Sequence, residues 1–163
     1  MITKTTTTTK VIDLETKDDF INFSVIENPI VKVIHNNTSM YFLVDTGCDK
    51  SYIDEYIKDM LVLTPTNECI ESIMCGDSDI EGVKRVYEMQ VQIANHHTTA
   101  KVVPMDFKQI NKAFKDKYGI VLRGIIGSNF LSENAYVLDF KDNCIYIADS
   151  FQTELNFNEP DGE

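Results

Sequence analysis

Cysteine, basic charge and long apolar runs are all scarce in this chain, and each scarcity closes off a class of protein. Four cysteines, Cys48, Cys69, Cys75 and Cys144, are spread over 163 residues. They are too few and too scattered for a disulfide scaffold, and read as mostly free thiols in a reducing compartment. No Cys-x-x-Cys pair occurs, so no zinc site is assigned to Cys69, Cys75 and the neighbouring His96 and His97, and no metal is expected. Lys and Arg number 15 against 26 Asp and Glu, a formal net charge of -11. That leaves too few cations to coat a phosphate backbone, so neither nucleic acid nor an anionic membrane surface is an expected partner. The excess of acid reads as a solvated surface. No apolar stretch approaches the about 20 residues that span a bilayer. The opening "MITKTTTTTK" has no apolar centre of the kind a signal peptide carries. The expectation is a soluble protein that stays in the cytoplasm where it is made.

What is present suits a single domain with a sizeable core, since 43% of the residues are hydrophobic. Residues 1–19 read as a polar, Thr-rich lead-in, residues 20–150 as the domain, and residues 151–163 as a loose acidic tail. Within the domain, "PIVKVIHNN" and "TSMYFLVD" form a predicted hairpin around Asn36 and Asn37, because Asn tolerates positive φ. "DEYIKDML" predicts a short helix over 54–61 with Asp54 as N-cap. A long hairpin follows, its polar tip enclosed by Gly76 and Gly82 and expected to be mobile. "HHTTAKVVPM" is one more strand. Phe107, Ile110 and Phe114 recur at helical spacing before Gly119, which predicts a helix with a glycine C-cap. After "RGIIG", a helical turn near Asn129 precedes two last strands, "AYVLDF" and "CIYIA". His35, His96 and His97 fall on strand ends or turns, where a surface histidine needs no catalytic part. Ser51 and Ser128 lack the glycine setting of a nucleophile elbow.

One segment departs from this ordinary pattern. "YFLVDTG" ends an apolar strand in a carboxylate, Asp45, followed at once by Thr46 and Gly47. A charge at the edge of a core is costly unless it is partnered or put to use. Asp-Thr-Gly after a hairpin, a glycine-bordered hairpin, then Ile125-Ile126-Gly127 leading into a short helix: this order resembles the retropepsin-like aspartic proteases, single-lobe relatives of pepsin, over about residues 29–147. The resemblance implies a mainly β fold, a closed single-lobe barrel with a flap hairpin and two or three short helices. It further implies that the segment of Ile125, Ile126 and Gly127 threads beside the Asp45 loop and contributes to substrate binding.

The implied activity is peptide-bond hydrolysis. Two carboxylates share one proton; the ionised one activates a water and the protonated one polarises the scissile carbonyl. No cofactor is implied. Because the chain has a single Asp-Thr-Gly, the second carboxylate must come from another copy in a homodimer, or from a partner lobe. By resemblance Asp45 is the acid/base, Thr46 bonds across the dimer, and Gly47 offers its N–H to the carboxylate. Gly76, Asp77, Ser78, Asp79 and Gly82 would form the substrate-covering flap, whose acid content, with Glu81, would favour neutral or cationic peptides. Cys48 departs from the small or hydroxyl residue usual after Asp-Thr-Gly. A thiol is a weak donor, so the expected activity optimum lies in mild rather than strong acid. Two readings from other classes stand beside this one: the same fold as a catalytically silent dimerisation or peptide-binding module, and an unrelated β-barrel binding protein in which Asp45 is a turn residue.

Overall fold

Asn36 and Asn37 both take positive φ, 45° and 61°, the conformation of a two-residue hairpin turn whose twist matches its strands. In the computed structural model of this chain, residues 10–11, 20–21, 29–71, 74–75, 78–79, 82–141 and 144–147 are described. The two arms of this hairpin are β3 (Ile30–His35) and β4 (Thr38–Val44), after two short strands β1 (Lys10–Val11) and β2 (Phe20–Ile21). Strand β5 (Ser51–Asp54) runs into a 3-10 helix, Glu55–Met60, capped as its sequence predicts: Asp54 Oδ1 accepts the Tyr56 N–H at 3.1 Å. Strand β6 (Thr64–Ile70) then rises toward the small ladder of β7 (Met74–Cys75) with β8 (Ser78–Asp79), and β9 (Lys84–Ile93) returns beside β6. Of the tip expected to be mobile, residues 76–77 and 80–81 lie outside those described.

Strand β10 (His96–Met105) pairs with β9, and helix α1 (Lys108–Tyr118) follows, closed by Gly119 at φ 69°. Strand β11 (Leu122–Ile126), helix α2 (Ser128–Glu133) and the hairpin β12 (Tyr136–Asp139) with β13 (Cys144–Ile147) complete the described chain. The outer strand β1 pairs with β13, so part of the polar lead-in is drawn into a three-stranded sheet. Residues 151–163, expected as a loose tail, lie outside the described residues.

The larger sheet closes on itself. Its order β3-β4-β11-β5-β10-β9 returns to β3 where Ile34 stands opposite Gln92, giving a mainly β, six-stranded barrel with three short helices. Closure pairs both sides of these six strands and leaves β2 and β6 as the outer strands of the sheet. Strand alternation then sorts the core into two clusters. Phe42, Val44, Ile53, Met89 and Ile126 belong to one, joined by Phe130 of α2. Leu43, Tyr52, Val103, Leu122 and Ile125 belong to the other, against which Ile110 and Phe114 of α1 pack. Ile125 and Ile126 are thus buried on opposite faces of β11, which explains two apolar residues in succession there.

His35 overturns the expectation of a surface histidine. It is 3% exposed and sits at the barrel seam. Its Nδ1 lies 2.7 Å from the Gln90 carbonyl on β9, and its Nε2 accepts the Val62 N–H at 3.1 Å. These partners fix the tautomer: Nδ1–H donates and Nε2 accepts, so the ring is neutral here. The strand-end pattern of the sequence could not show that β9 lies across from it. We expect His35→Ala to lower the unfolding free energy by about 1–3 kcal/mol, the cost of losing a buried polar link. Urea unfolding checks this, and an unchanged midpoint would show that the seam does not depend on the ring.

Candidate active site

The chain leaves β4 at Val44 and enters β5 at Ser51, yet these two strands are not paired with each other. Strand β11 lies between them, parallel to β4 and antiparallel to β5. Ile126 stands beside Val44, Ile125 beside Leu43 and, on the other side, beside Tyr52. The connection carrying Asp45, Thr46 and Gly47 therefore arches over the end of the strand formed by Ile125 and Ile126.

Backbone groups lock the arch. Asp45 N–H donates to the Ile126 carbonyl at 2.9 Å, and Cys48 N–H closes the turn on the Asp45 carbonyl at 3.2 Å. The Cys48 carbonyl in turn accepts the Ser128 N–H at 2.8 Å and the Ser128 hydroxyl at 3.1 Å. Gly127 N–H donates to Ser51 Oγ at 3.0 Å, and the Ser51 hydroxyl donates to Asn129 Oδ1 at 2.8 Å. The first N–H groups of a helix have no intrahelical acceptor. Here α2 has that of Ser128 satisfied by the Cys48 carbonyl of the arch and that of Gly127 by the Ser51 hydroxyl of β5, with no cap from a side chain of its own N-cap residue.

Gly127 is demanded by contact, not by dihedral freedom. A Cβ there would overlap the Lys50 carbonyl and stand 2.8 Å from the Cys48 oxygen. At Gly47 the constraint is milder. Its N–H donates to Asp45 Oδ1 at 2.9 Å, and a Cβ would lie 3.1 Å from that same oxygen. This is the N–H expected to point at the carboxylate. Asp45 itself is half-buried, with Thr46 and Gly47 exposed beside it. Among the described residues no cation pairs with Asp45.

The structure brings Asp45, Thr46 and Gly47 together with Ile125, Ile126 and Gly127, but these last three are buried, the two isoleucines in the core clusters, rather than open to a substrate. Of the expected flap, Gly76 and Asp77 lie outside the described residues. Ser78 and Asp79 form β8, with side chains that are not described. Gly82 is exposed and takes φ 104°, a backbone conformation that glycine supplies without strain. Cys48 corrects the free-thiol reading: it is fully buried and disulfide-bonded, whereas Cys69 is free and exposed. Among the described residues no cluster of His, Cys, Asp and Glu could hold a metal ion. No helix among them is long and apolar enough to cross a membrane.

Residues that the sequence did not flag complete the surroundings. A cleft of about 470 Å³ opens next to the arch, lined by Thr46, Ser128, Leu131, Ala135, Tyr136 and Val137 among others. Tyr136 is tied back to the barrel, its hydroxyl 2.7 Å from His96 Nδ1. Burial pushes that phenol well above its ordinary range. Burial, and next the charge of His97, hold His96 below the usual histidine value. Ser51, Asn129 and Tyr136 carried no local signal, since each acquires its partner through a contact distant in sequence.

No protein-family model matches this chain, and no curated protein matches it.

The close approach at Gly127 yields a direct test. Gly127→Ala must push backbone against backbone, with no flexible side chain to give way, so we expect a loss of about 3 kcal/mol or more. Denaturant unfolding measures it; a loss below about 1 kcal/mol would mean that the arch can lift without cost.

Proposed function

We propose that this chain is one half of an aspartic endopeptidase, with Asp45 supplying one carboxylate and a second copy of the chain supplying the other. One observation carries this reading: β4 and β5 are separated by β11, so Asp45-Thr46-Gly47 arches over Ile125-Ile126-Gly127. That arrangement holds a carboxylate at the barrel surface with its backbone fixed on both sides. A turn residue would need none of this.

The chemistry follows from proximity of two like charges. Two carboxylates close together cannot both ionise, so they share a proton. The ionised one takes a proton from a bound water, which attacks the peptide carbonyl; the protonated one hydrogen-bonds the carbonyl oxygen and polarises it. Protons then pass to the leaving amine. Gly47 N–H holds one oxygen of Asp45. Thr46, exposed next to an apolar cleft, is open to meet its counterpart across the proposed two-fold axis. The pairing of β7 with β8 inside the arms of β6 and β9 supports a flap over the substrate. Cys48, committed to a disulfide, has no thiol hydrogen to give the carboxylate. The proposed optimum accordingly lies in mild acid, above the strongly acidic range of pepsin.

The competing reading keeps the fold and drops the catalysis, leaving a dimerisation or peptide-binding module. Cleavage of a mixed peptide pool, followed by mass spectrometry between mild acid and neutrality, separates the two. We expect cuts that vanish in Asp45→Asn and rise more steeply than linearly with protein concentration. A chain that forms dimers but makes no Asp45-dependent cut at any concentration would favour the silent module.

A further inference from the structure

The peptide unit joining Ile126 to Gly127 has two jobs. Its carbonyl accepts the Asp45 N–H at 2.9 Å, and its N–H donates to Ser51 Oγ at 3.0 Å. A trans peptide is planar, with its oxygen and its hydrogen on opposite sides. One rigid plate therefore bridges the two ends of the arch, Asp45 on the β4 side and Ser51 on the β5 side. Its rotation is set by both bonds at once.

Ser51 is suited to hold that plate. It is 2% exposed, and its hydroxyl has one hydrogen, which is committed to Asn129 Oδ1 at 2.8 Å. The oxygen is thereby oriented to accept from Gly127. Hydrogen bonds in such a chain polarise one another, so the bond from Asn129 back to the plate strengthens the Ile126 carbonyl as an acceptor for Asp45. Asn129 is carried by α2, whose first turn is itself tied to the Cys48 carbonyl through Ser128.

We propose that Ser51 and Asn129 are positioning residues for Asp45, acting through the Ile126–Gly127 peptide rather than by contact with substrate. The inference rests on the protease reading for its effect on rate, but the link itself is measurable without any activity. Without the Ser51 hydroxyl the plate can rotate, and the Asp45 backbone loses its fixed anchor. The carboxylate then samples orientations that do not meet its counterpart.

The test uses Ser51→Ala, Ser51→Thr and Asn129→Ala in the full chain, with two readouts. Amide hydrogen exchange at Asp45 and Gly127 should quicken by roughly tenfold or more in Ser51→Ala. Exchange should stay near wild type in Ser51→Thr, which keeps the hydroxyl. In peptide cleavage, kcat should fall roughly 10- to 100-fold in Ser51→Ala with KM nearly unchanged, since misplacement acts on the reacting groups. The threonine variant should recover most of that rate. Asn129→Ala, a half-buried change, should move both readouts in the same direction by less, and it carries the test if Ser51→Ala does not fold. The proposal is overturned if Asp45 exchange is unmoved in the folded alanine variants, or if KM alone changes. Failure of threonine to rescue a folded protein would overturn it too. If the wild type cleaves nothing, the protease reading fails while the exchange result still decides the positioning link.

Discussion

Strand β11 lies between two strands that the chain itself connects, and the whole Asp45 end of the barrel depends on that insertion. Had β4 and β5 paired directly, the connection between them would be an ordinary hairpin turn free to move at the surface. With β11 interposed, the arch must span a strand: its Asp45 N–H finds the Ile126 carbonyl, its Cys48 carbonyl finds Ser128, and the Ser51 hydroxyl beyond it takes the Gly127 N–H. Gly127 makes this possible, because any larger residue would meet the backbone of Lys50 and Cys48.

Two carboxylates, at the ends of β4 and β5 and so at opposite ends of β11, show what the arrangement does to charge. Asp54, at the end of β5, is 4% exposed and fully employed: it caps Tyr56 N–H and takes Arg123 Nη1 at 2.8 Å. This is how a protein makes a buried acid tolerable. Asp45, at the end of β4, is half-buried, and the hydrogen bond it accepts from Gly47 leaves carboxylate capacity open. Asp54 is structural in every contact it makes. Asp45 is held in place by its backbone while its side chain stays available.

Much of the fold was legible in local chemistry. The Asn36–Asn37 turn, the Asp54 cap, the Gly119 cap and the alternation of β3 and β4 follow from dihedral preference, capping and period-two burial, all of which act within a few residues. The apolar-apolar-Gly segment was legible only through its resemblance to a family; nothing in its own pattern states that it inserts between β4 and β5. For the same reason His35 was legible only as a surface histidine and Ser51 only as a serine outside a nucleophile elbow. A histidine at a strand end looks alike whether β9 crosses it or water does, and Ser51 meets Asn129 only once β11 has been threaded. The disulfide at Cys48 likewise depends on tertiary approach that scattered cysteine spacing does not encode.

Each Asp45 is proposed to be half of a site completed by a second chain. Mixing wild type with Asp45→Asn at constant total protein, after subunit exchange, tests it most directly. If two copies of Asp45 are needed, every mixed dimer is inactive, and activity falls as the square of the wild-type fraction. A fall in simple proportion to that fraction would contradict the account, because each chain would then be working alone.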